Sequence, residues 1–276
     1  KSATPGDPGG GIHMTGSAPT IANNIIKGNL SYGVGAGVSI WYFKPISTTE
    51  GEYPLIENNR IVDNFAYESA GDGGGIGSVG SSPEIRNNVI ARNQASQNGG
   101  GVCVWQDSAP VLANNFIMAN VGNILDGGSA MNYGGGGLFA SSLKPNGDTC
   151  YGCKSSPNLF SNVIAANGGL NGGGIAITDS NGGQANITNN TVANNSGAGI
   201  HWANAALQVH NNLVVQNIWG MEQWDVGTNA PVLSHNNVFA NTLQGLPTNY
   251  KGIGDATASS RNTSADSLRS RNCLPC

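Results

Sequence analysis

Apolar residues in this chain fall in very short runs at a fixed rhythm. In PEIRNNVIARN (83–93), Ile85 and Ile90 flank a pair of asparagines, and a third Asn closes the unit. The pattern P-x-I-x-N-N-x-I-x-x-N, in places degraded, recurs eight times. The copies are PTIANNIIKGN (19–29), PLIENNRIVDN (54–64), PEIRNNVIARN (83–93) and PVLANNFIMAN (110–120), followed by PNLFSNVIAAN (157–167), ANITNNTVANN (185–195), LQVHNNLVVQN (207–217) and PVLSHNNVFAN (231–241). Between copies, a glycine-rich step delivers a further apolar residue: Ile12, Val38, Ile76, Val102, Leu138, Ile175 and Ile200 each follow it. Runs of three to five β-branched residues broken by Asn and Gly predict strands and corners, not helices. The shortest step between successive asparagine pairs is 22 residues, from Asn190 to Asn212. A coil of that length with several strands predicts a parallel β-helix.

The same pattern assigns the unusual residues a task. Gly and Asn tolerate the positive φ that corners need. Equivalent Asn side chains on stacked coils can also hydrogen-bond as an amide ladder. Composition agrees: the chain has 37 Asn, more than its 12 basic and 16 acidic residues together. Low charge with 38% apolar residues argues against disorder, and no strict third-residue glycine period points to collagen. The net charge of −4 comes without a basic patch, which argues against nucleic acid as a partner. No apolar run has the length of a membrane span.

The alternation of G-G-G-I with P-x-I-x-N-N-x-I-x-x-N resembles the right-handed parallel β-helix repeat of the pectin-lyase-like superfamily over residues 9–241. The tail NNVFAN…TSAD (236–266) resembles the closing segment of many secreted bacterial proteins built from these repeats. The resemblance implies an all-β, single-stranded right-handed solenoid of eight to nine coils. It leaves activity open, because that superfamily includes lyases, hydrolases, epimerases, adhesins and structural proteins.

Domain organisation follows. Residues 1–241 are expected to form coils, interrupted by insertions at 41–53, 121–133 and 139–156, with a capping tail at 242–276. Tyr250, Ile253 and Leu268 are candidate plugs of the C-terminal end. Before Gly9 no capping segment is evident. A removed preceding domain, a covering partner or head-to-tail stacking of copies would each account for that start. The start at Lys1 reads as a mature or truncated product. The five cysteines, Cys103, Cys150, Cys153, Cys273 and Cys276, include two C-x-x-C pairs, which suit an oxidised, secreted or cell-surface protein. Cys103 paired with Cys150 or Cys153, a local Cys150–Cys153 bridge, and thiolate metal ligation all remain open, with disulfides the default.

Strand alternation places His13, Ser39, Trp41, Cys103, Trp105, Phe139, Thr178, His201 and Trp224 on an outer row. Trp41, Trp105, Phe139, His201 and Trp224 are therefore candidate ligand-binding residues, a platform for sugar rings, unless the insertions fold back and bury them. Asp107 and Asp179, at similar offsets two coils apart, are candidate catalytic carboxylates of an inverting pair. Other charges have structural partners: Glu57 aligns with Arg86, and Asp63 with Arg92, on adjacent coils. His235 is expected at an asparagine-ladder position of the repeat. The G-H-G element of polygalacturonase-like hydrolases and the D-P-H-D element of alginate epimerases are missing; Asp7-Pro8 is followed by Gly9. No pectate-lyase-like calcium-plus-arginine set assembles; no cofactor is expected, and calcium stays an open option without residues to support it. The favoured function is an extracellular binding or structural rod, its partner a polysaccharide or another surface protein. A polysaccharide lyase, hydrolase or epimerase is the alternative.

Overall fold

The structure, a computed structural model, describes residues 9–42, 53–67, 71–123, 134–145, 149–169, 172–224 and 231–253. Within them the chain is a right-handed parallel β-helix without α-helix. Each coil passes through three sheets in turn. Sheet A stacks nine strands, from Ile12–Thr15 through Val38–Trp41, Ile76–Val79, Val102–Trp105, Leu138–Ser141, Ile175–Thr178, Ala198–Ala203 and Trp219–Gln223 to Tyr250–Lys251. Sheets B and C stack eight each, from Thr20–Ala22 to Val232–Ser234 and from Ile25–Lys27 to Asn237–Phe239. Every pairing within these three is parallel, and like meets like: Ile56, Ile85 and Leu112 are partners in sheet B, as are Ile61, Ile90 and Ile117 in sheet C. The middle residue of each three-residue strand points inward, so one apolar column fills the helix from Met14 to Val238.

The asparagine-rich unit builds two ladders, one on each side of sheet C. The second Asn of each pair forms the first ladder: Asn59 Oδ1 accepts from Asn24, Asn88 Oδ1 from Asn59, and Asn115 Oδ1 from Asn88. The closing Asn forms the second, through Asn64, Asn93, Asn120, Asn167, Asn195, Asn217 and Asn241. Each rung accepts both the backbone N–H and the side-chain N–H of its neighbour. Its own Nδ2 also donates to a carbonyl behind it, as Asn88 does to Ile56. These amides are buried, and burial is tolerable because their donors and acceptors are matched. The first residue of each pair has the other task, turning the corner in the left-handed region: Asn87 (φ 56°), Ser161 (φ 55°) and His235 (φ 55°). His235 therefore does not occupy the ladder, as the repeat suggested; Asn236 does, donating to Val209 O.

The glycine triplet at Gly99–Gly101 has a separate reason at each position. Gly99 has φ +62°. A Cβ on Gly100 would lie 2.4 Å from the Val121 backbone. One on Gly101 would lie 2.5 Å from Gly137 O and 3.0 Å from Asn120 Nδ2 of the second ladder. On this coil the step into sheet A is thus packed too closely for a side chain at any of the three positions.

At the C-terminal end the repeat gives way to a hairpin, Thr242–Leu243 with Leu246–Pro247, and then to Tyr250–Lys251 as the last strand of sheet A. Asn249 takes over the second ladder by accepting from Asn241, and Tyr250 and Ile253 pack against the end of the core. Leu268, Cys273, Cys276 and most of the 41–53 and 121–133 insertions lie outside the described residues.

Candidate functional site: a disulfide-framed groove beside sheet A

The register of sheet A agrees with the expected alternation: Cys103 pairs with Phe139 and Gly77, and His201 with Ala176 and Glu222. The inference that this row faces solvent fails. Cys103, Phe139, His201, Ser39 and Thr178 are buried completely, and Trp105 nearly so. The covering element is the glycine-rich step itself, which passes over the outer face before turning into the next strand. Gly35 lies on Ser39, Gly99 on Cys103, Gly135 on Phe139 and Gly172 on Ala176. The covered residues form a second apolar cluster of Val34, Val79, Cys103, Trp105, Phe139 and Ala176, with Trp41 and Leu143 against it. Of the five expected platform residues, Trp105, Phe139 and His201 are interior, Trp41 is half-buried and Trp224 is exposed.

That outer cluster encloses one carboxyl group. Asp72 accepts from the backbone N–H of Asn98 (2.8 Å) and from Trp105 Nε1 (3.1 Å), while Trp105 packs on Phe139 with ring centroids 4.9 Å apart. Burial outweighs those hydrogen bonds and pushes Asp72 up to about 7. Burial, with Asp72 close by, also pushes the Cys103 thiol well up, so this cysteine is a packing residue and not a nucleophile. The disulfide is the local one, Cys150–Cys153.

Around the edge of sheet A the surface opens. The residue after each strand turns the corner into sheet B, with positive φ at Tyr42, Gly80, Gln106, Asp179 and Asn204. At the coils starting with Leu138, Ile175 and Ala198 this corner presents Ser142, Asp179 and Asn204 in sequence. Ser142 N and Oγ both donate to Asp179 O, and Asn204 Nδ2 donates to Asp179 Oδ1 (3.1 Å). The expected 139–156 insertion begins later, since 139–141 belong to the sheet A strand; its residues Leu143 and Thr149–Cys153 stand beside them. Its Cys150–Cys153 turn is closed by Cys153 N–H to Cys150 O as well as by the disulfide, and Asn181 Nδ2 ties it down by donating to Cys153 O (2.8 Å). Floor and turn enclose a groove of about 510 Å³, lined also by Leu143, Thr149, Tyr151, Gly152 and Gly182. Tyr151, at the tip of the turn, is 94% exposed.

The proposed carboxylate pair does not assemble. Asp179 aligns with Ser142 and lines the groove. Asp107 sits one residue further round its own corner, accepts from Lys154 N–H (3.3 Å), and is not part of the lining. Among the described residues no group of three or more His, Cys, Asp or Glu gathers as metal ligands.

A second polar group stands at the C-terminal end of the outer row. His201 Nδ1 meets Glu222 Oε2 at 3.1 Å, and Lys251 Nζ donates to Glu222 Oε1. Lys251 also lies over the rings of Trp219 (4.4 Å) and Trp224 (5.7 Å). Burial raises the Glu222 pKa, but the hydrogen bonds and charges of His201 and Lys251 outweigh it and hold the carboxyl below its usual value. Sequence alone named His201 and Trp224 separately and missed Lys251, because Lys251 lies beyond the last repeat. Tyr151, Asn181 and Asn204 were also missed. The available signals were the C-x-x-C bracket around Tyr151 and the recurrence of corner residues after each sheet A strand.

A fold of stacked parallel coils with an insertion-walled groove defines a right-handed β-helix protein. The chain matches the family described as "Right handed beta helix region" over residues 10–214, and it belongs to that family. Comparison with curated proteins and with solved structures gives no match.

Proposed function

We propose that this protein is an extracellular glycan-binding rod whose binding site is the groove under the Cys150–Cys153 turn. The observation that carries the reading is Tyr151. An aromatic ring held 94% in solvent by a disulfide-closed turn stands over a floor of hydroxyl, carboxylate and amide groups. A sugar needs that combination, because its C–H face packs on an aromatic ring while its hydroxyls require hydrogen-bond partners. A flexible exposed aromatic would lose entropy on binding; here the turn is already closed.

The enzyme reading has one observation in its favour, the His201–Glu222–Lys251 group. Its histidine and carboxylate are both buried, whereas a general acid or base must reach substrate. Among the described lining residues of the groove Asp179 is the single carboxylate, and glycoside hydrolysis uses two. Binding without turnover is therefore the better account.

The test is retention on immobilised polysaccharides, run beside assays for new reducing ends and unsaturated products. Tyr151→Ala should weaken retention about tenfold with the melting temperature unchanged. Product formation, or retention indifferent to Tyr151, would overturn the proposal.

A further inference from the structure

We infer that the Cys150–Cys153 disulfide is a thiol-exchange site, reducible in the folded protein by a low-molecular-weight thiol. Resting on the groove reading, its reduction releases Tyr151 and weakens binding. The bond does little for the column. A disulfide stabilises chiefly by closing a loop of the unfolded chain, and the gain grows with loop length. This one has a sequence separation of 3, and its turn is already closed by Cys153 N–H to Cys150 O (3.2 Å), with Gly152 at φ +77°. A structural staple would bridge the turn to another coil, as Cys103 could have done. Cys103 is instead a buried free thiol.

The two cysteines are held differently. Cys153 is fixed to the column. Its carbonyl accepts from Asn181 Nδ2 (2.8 Å), and the next residue, Lys154, donates its N–H to Asp107 Oδ1 (3.3 Å) and accepts from Ser108 N–H (3.0 Å). Cys150 lines the groove with Thr149, Tyr151 and Gly152. Among the described residues, the disulfide and the Cys150 carbonyl's hydrogen bond from Cys153 are what bond this stretch to its surroundings. Cutting the S–S bond leaves a single backbone hydrogen bond to keep the exposed ring of Tyr151 over the floor.

The surroundings favour reaction. Thr149, Tyr151 and Gly152 are exposed and the two cysteines are half-buried, so a thiolate can approach from the groove. It attacks the Cys150 sulfur, the S–S bond breaks, and the Cys153 sulfur leaves as a thiolate whose next residue is the exposed Lys154. Lys144, also exposed, precedes the turn, and the two ammonium groups draw an anionic thiol toward it. A second thiol then attacks the incoming sulfur, which forms the reagent's own disulfide and frees Cys150. Two thiols lose two electrons and two protons, and the cystine gains them.

The experiment treats the folded whole chain with reduced glutathione or dithiothreitol, blocks free thiols with iodoacetamide and locates them peptide by peptide by mass spectrometry. Cys150 and Cys153 should be labelled while Cys103 is not, because Cys103 is buried and its thiol is held well above the usual value. Circular dichroism and the melting temperature should stay close to those of the oxidised protein. In Cys153→Ser, glutathione should be found disulfide-linked to Cys150. Retention on the immobilised polysaccharides should fall about tenfold on reduction and return with oxidised glutathione, while Tyr151→Ala shows no further loss. Labelling of Cys150 and Cys153 only when the protein unfolds, together with Cys103, would overturn the exchange site. Full reduction with retention unchanged would overturn the control of Tyr151 and leave the groove in place. Absence of retention by the oxidised protein removes the groove reading and its regulation together, and the labelling by itself then decides the exchange site.

Discussion

Two corners of the coil invite comparison. Between sheets B and C, every coil makes the same turn, a left-handed residue followed by Asn, and from Asn59 to Asn212 that Asn is buried and bonded to the Asn above and below. After sheet A each coil differs, with Tyr42, Gly80, Gln106, Ser142, Asp179 and Asn204 at equivalent places. The first corner is inside and must satisfy its own amides, so one residue type is acceptable. The second is buried at Gly80, Gln106 and Ser142 but opens to water at Tyr42, Asp179 and Asn204, where solvent can satisfy whatever stands there and the residues are free to serve a ligand. In this solenoid repetition marks stability, and variation marks the surface available for binding.

The comparison breaks most visibly in the middle of the ladder. Asn162 accepts from Asn115 N–H and Nδ2 and donates to Asn190 Oδ1 and Leu112 O. Asn162→Ala removes those four interactions and leaves buried partners unmatched, which should cost on the order of 5 kcal/mol. Urea unfolding followed by circular dichroism should show the midpoint falling sharply. A shift as small as that of a surface substitution would mean that the ladder is decoration.

Asp72 sharpens the comparison from a different side. It too occupies a variable position, between Val34 and Asn98 on neighbouring coils, but a buried one where water cannot satisfy it. Its ordinary value is 3.8 and its folded value about 7, so between these the folded protein keeps a proton that the unfolded chain releases. Its contribution to stability therefore falls as pH rises from about 4 to 7 and is flat above, a total of about 4 kcal/mol. The difference in unfolding free energy between the protein and Asp72→Asn, measured from pH 4 to 8, should fall over that window. No change across it would place the carboxyl in water.

The smallest stability effect belongs to the exposed corner. Asn204 turns with φ 47°, a conformation that glycine adopts without strain. Asn204→Gly should change the unfolding free energy by less than about 0.5 kcal/mol. It should nonetheless weaken glycan binding, because a hydrogen-bonding group leaves the floor. A melting shift comparable to that of Asn162→Ala would erase the distinction between the two corners.

Much of this architecture is local, and so it was legible. The spacing of Ile85 and Ile90 about Asn87 and Asn88 specifies two strands and a corner. Repetition then stacks them, which brought Glu57 to Arg86 (3.0 Å) and Asp63 to Arg92 (2.8 Å) as the register required. Alternation correctly named the outer row of sheet A too, and then misled, because it describes direction and not cover. Trp105, Phe139 and His201 do point away from the core, but Phe139 is covered by its glycine-rich entry segment, Trp105 packs against Phe139 and Asp72, and His201 lies against Glu222 and Trp224.

The candidate site shows the same limit. A C-Y-G-C turn announces a constrained loop, but the sequence does not say that Asn181, 28 residues after Cys153, ties it to the floor. Nor does it say that Lys251, outside the repeat, reaches Glu222 and lies near the Trp224 ring. Periodic hydrophobicity and corner chemistry act between residues near in sequence, and they determined the coil, its ladders and its register. Which surfaces are covered, and which distant loops meet, depends on how insertions of irregular length fold back on the column, and that only the tertiary structure decided.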